Sequence, residues 1–573
     1  MTLFTTFFIA LIASMLLVPL LIRWSGQLHL MDVPDARKVH VGSIPRSGGV
    51  AIVVGAALPV LLFLPTCPQY SAAPLAFSAI WRAKHFALCV AGGDKLLLGV
   101  LAGGFVIAVF GFLDDRRGLS YRWKFFGQLL AVGCALVGGL RIHEAPFFGI
   151  DAVPEVVSYP LTALFLLGVT NAINFSDGLD GLAGGISLLT LSAIAWLGYQ
   201  ADGIGVALTA LAIMGGICGF LRYNNYPAVV FMGDTGSQFL GFVTAALGLL
   251  LTQQVNPTLN PAILLLLFGL PILDTLVVMT WRIRRGESPF LPDRNHFHHR
   301  MLEFGFYHYE AVSIIYLTQA ALVCAGLLLK YESDLLIVSV WIAFSIFVLL
   351  FFRWARVSGW RMHRPNPPGV FVERRNRVLR RLAWLPEASA RTTEYALGLF
   401  MVAAAFVPAS IDRTFGTTAL VCALIFGLAL LFPDGVRHNI RRMASYLAAV
   451  CAVYALSVLA SAPWVPSWAA NTFLVVIAAT LVLAIRLTRR EEFRTTPLDL
   501  LIFGFVMGAL VLTQSSDGPF ARYEHLGDAV VRLAVLFYGG EFLYSKGARY
   551  QAGLSWLACL SLVVLAVRGL SPV

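Results

Sequence analysis

A 573-residue chain that is 58% hydrophobic and 13% charged, with a mean hydropathy of +0.78, is not a soluble globular protein, whose charged share would be about 25%. The formal charge of +11 (42 Lys and Arg against 31 Asp and Glu) would suggest nucleic acid in a soluble chain. Here Lys and Arg concentrated in cytoplasmic loops account for it, and no nucleic-acid partner is expected.

Apolar runs long enough to cross a bilayer as helices recur from Leu3–Ile22 through to Ala552–Val567, about 18 in all. Stretches such as Pro261–Thr280 and Leu335–Phe352 are apolar on nearly all sides, unlike the alternating strands of a membrane barrel. The expected fold is an all-α polytopic membrane protein, with about 11 helices up to residue 352 and about seven more beyond it. The first run has no Lys or Arg before Arg23 and no cleavage site of small residues, so it reads as a retained helix with its N-terminus outside. Counting from there, the loops facing the cytoplasm carry Arg37, Lys38 and Arg46, then Arg116 to Lys124, Arg222, and Arg282 to Arg300. The outer segments 145–159 and 255–261 lack Lys and Arg, whereas the loop 65–95 departs from the pattern with Arg82, Lys84 and Lys95. Between Arg353 and Arg391 ten Arg are met by two Glu, and Pro365, Pro367 and Pro368 interrupt regular structure. This marks a cytoplasmic linker, 353–393, held against anionic headgroups. The eight Cys are scattered and never form a CxxC pair, so neither a zinc site nor a disulfide framework is indicated.

Acidic groups at the ends of membrane helices are costly and point to function. Four clusters fall on the cytoplasmic side. Asp114 and Asp115 form a repelling pair in GFLDDRRGLS at a helix end. NAINFSDGLDGLAGG holds Asn171, Asn174, Asp177 and Asp180; on a helix the two Asp would share a face, while the glycines permit a tight turn and close approach to a ligand. Asp234 in FMGDTGSQFLGF lies in a Gly-bounded turn, where an N-cap is the plain reading. SPFLPDRNHFHHR combines Asp293, Arg294, His296, His298 and His299, a group suited to a transition metal or to a diphosphate. Hard carboxylate oxygens with no thiolate in reach point to Mg²⁺, with Mn²⁺ as the alternative, and so to phosphate chemistry on a nucleotide. No Walker A motif is present, which disfavours an ATPase.

Five motifs in order, DVPDARKVHVGSIPRSGGVAI, GFLDDRRG, NAINFSDGLDGLAGG, FMGDTGSQFLG and SPFLPDRNHFHHR, give residues 1–352 a resemblance to the polyprenyl-phosphate N-acetylhexosamine-1-phosphate transferases. The interrupted His296-Phe297-His298-His299 is similar to the WecA/TagO-like branch and unlike the contiguous triplet of the MraY relatives. The resemblance implies a transferase domain over 1–352 that moves a sugar 1-phosphate, best read as N-acetylglucosamine 1-phosphate, from a UDP-sugar to undecaprenyl or another polyprenyl phosphate with release of UMP. It implies Asp234 and Asp177 as Mg²⁺ ligands, Asp114 and Asp115 as catalytic carboxylates, and Lys38 near the lipid phosphate. Asn174, Asp177 and Asp180 would contact metal and nucleotide, Asn224 and Phe231 the uridine, and Asp293, Arg294, His296, His298 and His299 the diphosphate and sugar. Direct attack of the lipid phosphate on the β-phosphorus is simpler than a double displacement through Asp114. UDP-GalNAc, UDP-QuiNAc and UDP-FucNAc are the rival donors. The implied location is a bacterial inner membrane with the site facing the cytoplasm, in a pathway of cell-envelope glycan synthesis. A homodimer or glycan-assembly proteins would be compatible partners. Residues 394–573 match nothing in that pattern and read as an accessory transmembrane domain. A lipid or glycan transporter is the alternative there, although a transporter would gather ionisable groups near the midplane, not at one face.

Overall fold

The computed structural model describes residues 2–32, 43–63, 95–144, 153–286, 295–363, 385–428, 434–457, 459, 468–487, 525–546 and 548–571. The chain divides into two compact units, Met1–Arg364 and Pro365–Val573. Lys38, Asp293 and Arg294 lie outside the described residues. Nine helices among those described are long and apolar enough to cross a membrane, which makes this an all-α multi-pass membrane protein.

The first unit packs around α8 (Gly233–Leu250), whose apolar window is wholly buried. Against it lie α2 (Gly48–Phe63), α3 (Lys95–Arg117) and α5 (Glu155–Phe175), while α6 (Leu182–Gln200) and α7 (Ile204–Asn224) close the bundle beside α1 (Thr2–Trp24). Lipid offers no hydrophobic drive between helices, so small residues that let backbones approach do the work. A Cβ on Gly111 would lie 2.6 Å from Thr235 Cα, and one on Gly241 would lie 2.8 Å from Thr170 Cα. Substituting either would force the α3–α8 or α5–α8 contact apart. A short antiparallel ribbon, β1 (Met31–Asp32) with β2 (Ile44–Pro45), hands the chain into α2. The Pro45 carbonyl accepts the Phe231 N–H at 2.7 Å, and the Gly48 and Gly49 N–H groups donate to Phe231 and Met232 carbonyls at 3.0 and 2.8 Å. That fixes the segment leading into α8.

The remaining helices are α4 (Tyr121–Val137), α9 (Ile263–Leu267), α10 (Gly269–Arg284), α11 (Phe297–Glu303), α12 (His308–Leu328) and α13 (Asp334–Val357). The apolar run 261–280 is not one unbroken helix: it is interrupted at Phe268, just before Gly269 and Pro271, because Pro cannot supply the N–H that a continuous helix needs. The run 335–352, by contrast, lies within the single helix α13. α13 continues through Arg353 to Val357, so the first residues of the Arg-rich stretch are helical.

The second unit contains α14 (Leu385–Ala404), α15 (Arg413–Leu428), α16 (Asp434–Ser457), α17 (Ala469–Leu487), α18 (His525–Ser545) and α19 (Ala548–Leu570). Its core is rich in Ala, with Phe400, Phe542, Leu554 and Leu562 filling the gaps. Within it Arg442 binds Glu541, and Arg568 donates to the Ala405 and Pro408 carbonyls at 2.7 Å each. Arg532 reaches Ser457 Oγ and Asn471 Oδ1, each at 3.0 Å.

Candidate active site

The carboxylates at the helix ends of the first unit converge on a single ammonium. Lys124, in the first turn of α4, donates to Asp234 Oδ2 at 2.9 Å and forms an ion pair with Asp114 as well. Asp114 also accepts the Leu119 N–H at 2.6 Å, so both of its oxygens are engaged. The other oxygen of Asp234 accepts from Asn174 Nδ2 at 2.8 Å, and that amide also reaches Ser237 Oγ at 2.7 Å. Asp234 sits in the first turn of α8, where the helix dipole favours a negative charge.

Asp115 faces the other way. Its Oδ1 accepts the Asp234 N–H at 2.8 Å, and its Oδ2 accepts the Thr235 N–H at 2.9 Å and the Thr235 hydroxyl at 2.6 Å. The position preceding α8 is Met232, which has no capping side chain, so the carboxylate from α3 caps α8 in its place. The N-cap expected of Asp234 is therefore supplied by Asp115, while Asp234 keeps its own carboxylate for Lys124 and Asn174.

Asp177 and Asp180 lie in the turn between α5 and α6, not on a helix, because Gly181 takes φ +81° and starts α6 from a left-handed position. The turn is pinned at both ends of Asp180. Its N–H donates to His308 Nε2 at 3.2 Å, and its Oδ2 accepts the Ala228 N–H at 2.9 Å. Gly181 donates to Asn224 Oδ1 at 2.8 Å and accepts from the Tyr316 hydroxyl at 2.6 Å. Asn224 also donates to the Val230 carbonyl at 2.8 Å, so the buried side chain expected at the uridine ties the turn to the segment before α8. Asn171 belongs to a separate clamp with Gln128 inside the bundle, at 3.1 Å. Burial, followed by the charges of Asp234, Asp115 and Asp180 and against the pull of Arg46, pushes the Asp177 carboxyl up to about 7.

The histidine motif meets this turn directly. Gly178 has no room for a Cβ because the His298 ring lies against it. His296 and His298 stack with centroids 5.7 Å apart, His299 lies 4.3 Å from His298, and His296 packs on Phe175 at 5.5 Å. Burial, with the charges of His299, His296 and His308 behind it, holds His298 well below the usual imidazole range. Phe231 is half-buried at the entry to α8. Thus Asp114, Asn174, Asp177, Asp180, Asn224, Asp234 and the three histidines meet around one region, as four separate motifs imply.

Among the described residues no three His, Cys, Asp or Glu side chains form a ready-made metal cage. Mg²⁺ does not need one, since it is commonly held by one or two carboxylates with phosphate oxygens and water completing the shell. The donor set suits that: Asp234 presents an oxygen already satisfied by a cation, and Asp177 lies close enough for the two charges to interact.

Three site residues escape the motif reading. Lys124 follows Arg122 in a run with Tyr121, Trp123 and Phe125, legible as an ammonium retained at the start of an aromatic helix. Asp274 is a lone acid within α10, the kind of intramembrane charge that signals function. His308 carries no local signal at all.

Residues 97–252 match glycosyl transferase family 4. The chain is 32% identical over 376 residues to a Bacillus subtilis protein named "Probable undecaprenyl-phosphate N-acetylglucosaminyl 1-phosphate transferase", covering 64% of this chain and 95% of that relative. It is 30% identical to the undecaprenyl-phosphate alpha-N-acetylglucosaminyl 1-phosphate transferase of Yersinia pestis, over 62% of this chain and 90% of that one. The chain belongs to the polyprenyl-phosphate N-acetylhexosamine-1-phosphate transferases. A third member, the decaprenyl-phosphate N-acetylglucosaminephosphotransferase of Mycolicibacterium smegmatis, is 34% identical over 50% of this chain and 71% of its own length. The sugar-phosphate transferase machinery of this family therefore resides here in a chain with some two hundred residues beyond its first compact unit.

Proposed function

We propose that the protein transfers N-acetylglucosamine 1-phosphate from UDP-N-acetylglucosamine to undecaprenyl phosphate, releasing UMP, at the cytoplasmic face of a bacterial inner membrane with its N-terminus outside. The carrying observation is the joining of Asp114 and Asp234, two carboxylates from different helices, through Lys124. Such a site holds charge-compensated carboxylates at the membrane edge, where a phosphorylated lipid and a water-soluble nucleotide can meet. Asp234 and Asp177 are the residues that would hold Mg²⁺, whose chemistry there would be to neutralise the diphosphate of the donor. Phe231 offers an aromatic face for the uracil, and the Asp177–Gly181 turn shapes the nucleotide pocket.

The lipid phosphate oxygen attacks the β-phosphorus, and the bond from that phosphorus to the α–β bridging oxygen breaks, its electron pair leaving on UMP. Engagement of both Asp114 oxygens supports this direct route over a covalent Asp114 intermediate. Asp114 is then positioned to take up a proton from the lipid phosphate, and Lys124 to steady the incoming oxygen. The test is UMP release by purified protein in detergent with undecaprenyl phosphate, Mg²⁺ and a panel of UDP-N-acetylhexosamines. Lipid- and Mg²⁺-dependent release with UDP-N-acetylglucosamine preferred is the expected result. Preference for the GalNAc, QuiNAc or FucNAc donor would reassign the sugar, and no release with any donor would remove the reaction.

A further inference from the structure

Asp274 is the sole carboxylate of α10, flanked by Leu273 and Thr275. Its Oδ2 meets His296 Nδ1 at 2.8 Å, and its Oδ1 accepts the Phe297 N–H at 2.9 Å, capping α11. Both residues are buried, with the His296 and Asp274 side chains 7% and 8% exposed. An ionised carboxylate only accepts hydrogen bonds, so Nδ1 must carry the hydrogen and Nε2 is the nitrogen left for chemistry. Nε2 has no protein partner among the described residues. The plane of the ring is held by Phe175 on one neighbour and His298 on the other, and its rotation is held by Asp274.

We propose that Asp274 is a positioning residue that acts through His296, fixing the ring so that Nε2 is presented to the diphosphate of the sugar nucleotide. With the ring oriented in this way, an imidazolium at His296 would donate Nε2–H to the bridging oxygen as negative charge develops there on departure with UMP. No proton needs to leave the ring, because the departing phosphate is stable as an anion. Of the stacked rings His296 and His298, it is His296 that meets Asp274, while burial holds His298 well below the usual imidazole range. The assignment of the diphosphate as the recipient rests on the function proposed above; the Asp274–His296 geometry does not.

The test uses the full chain. Asp274→Asn is isosteric and keeps an acceptor for Phe297, but its amide can donate to Nδ1 and reverse the tautomer. We expect kcat to fall about 100-fold with both KM values within about threefold of the parent, and melting temperature unchanged. His296→Gln should lose a similar amount, and the double variant should be no worse than His296→Gln alone, since the two act as one unit. Additive losses, or near-parental turnover in Asp274→Asn, would overturn the proposal. In ¹⁵N-histidine spectra, the signals absent from His296→Gln should change tautomer in Asp274→Asn; unchanged signals would overturn it independently of turnover. A parental chain that releases no UMP would sink the reaction instead, leaving the spectra to decide the dyad.

Discussion

With Asp114 and Asp234 sharing one ammonium, removal of Lys124 leaves two carboxylates facing each other without a counter-charge. Lys124→Met should therefore cost about 100-fold in kcat, with Lys124→Arg recovering part of it, as steady-state UMP release would read. Equal losses in both would show that the compact ammonium, not the charge, matters. At Asp177 the same crowding acts through protons. Its carboxyl is raised from 3.8 to about 7, so between those values the metal-free fold binds a proton that the unfolded chain does not. That contribution to stability is complete below the unfolded value and is lost as pH rises through about 7. A divalent cation must displace the proton, so Mg²⁺ affinity should weaken about tenfold per pH unit below about 7. Thermal unfolding with and without Mg²⁺ across this range measures it. A pH-independent Mg²⁺ effect would remove Asp177 from the metal site.

At the scale of helices, Asp115 ties the end of α3 to the start of α8 by three hydrogen bonds. Asp115→Asn keeps the shape but cannot accept all three, and should lower stability by about 2 kcal/mol, seen as a reduced melting temperature. Unchanged melting with abolished turnover would instead make Asp115 a participant in the chemistry. The DD pair shows what the sequence could and could not convey. Adjacent carboxylates at a helix end announce a site, but which one turns inward to cap a helix 120 residues away depends on tertiary packing. The glycine-rich turn was legible as a ligand-approach element, while its anchoring by His308 and Tyr316 was not, since both lie on a helix far along the chain with no motif of their own. Tyr316→Phe removes the hydroxyl that satisfies the Gly181 carbonyl in a buried setting. It should raise KM for the UDP-sugar more than it lowers kcat, because the turn, not the reacting carboxylates, loses its anchor. A fall in kcat alone would contradict that role. The break of the 261–280 run at Phe268 was written in Gly269 and Pro271, but near-uniform apolarity hid it.

For the molecule as a whole, the decisive fact is that the chain covers 95% of a relative while that match accounts for only 64% of its own length. All the described residues that meet at the site, from Asp114 to Tyr316, belong to the unit Met1–Arg364. The second unit has its own buried core, an Arg442–Glu541 ion pair, and hydrogen bonds from Arg532 to Ser457 and Asn471. A compact unit with its own core does not need a neighbour to fold. A chain ended after Arg364 should accordingly insert and keep lipid-dependent UMP release within about threefold of the parental kcat/KM, provided both are assayed in the same detergent. Loss of release with a well-folded first unit, judged by melting temperature and gel filtration, would make the second unit a contributor to turnover itself. Retained release in detergent but reduced release in vesicles would instead give it a role in bringing the lipid substrate to the site.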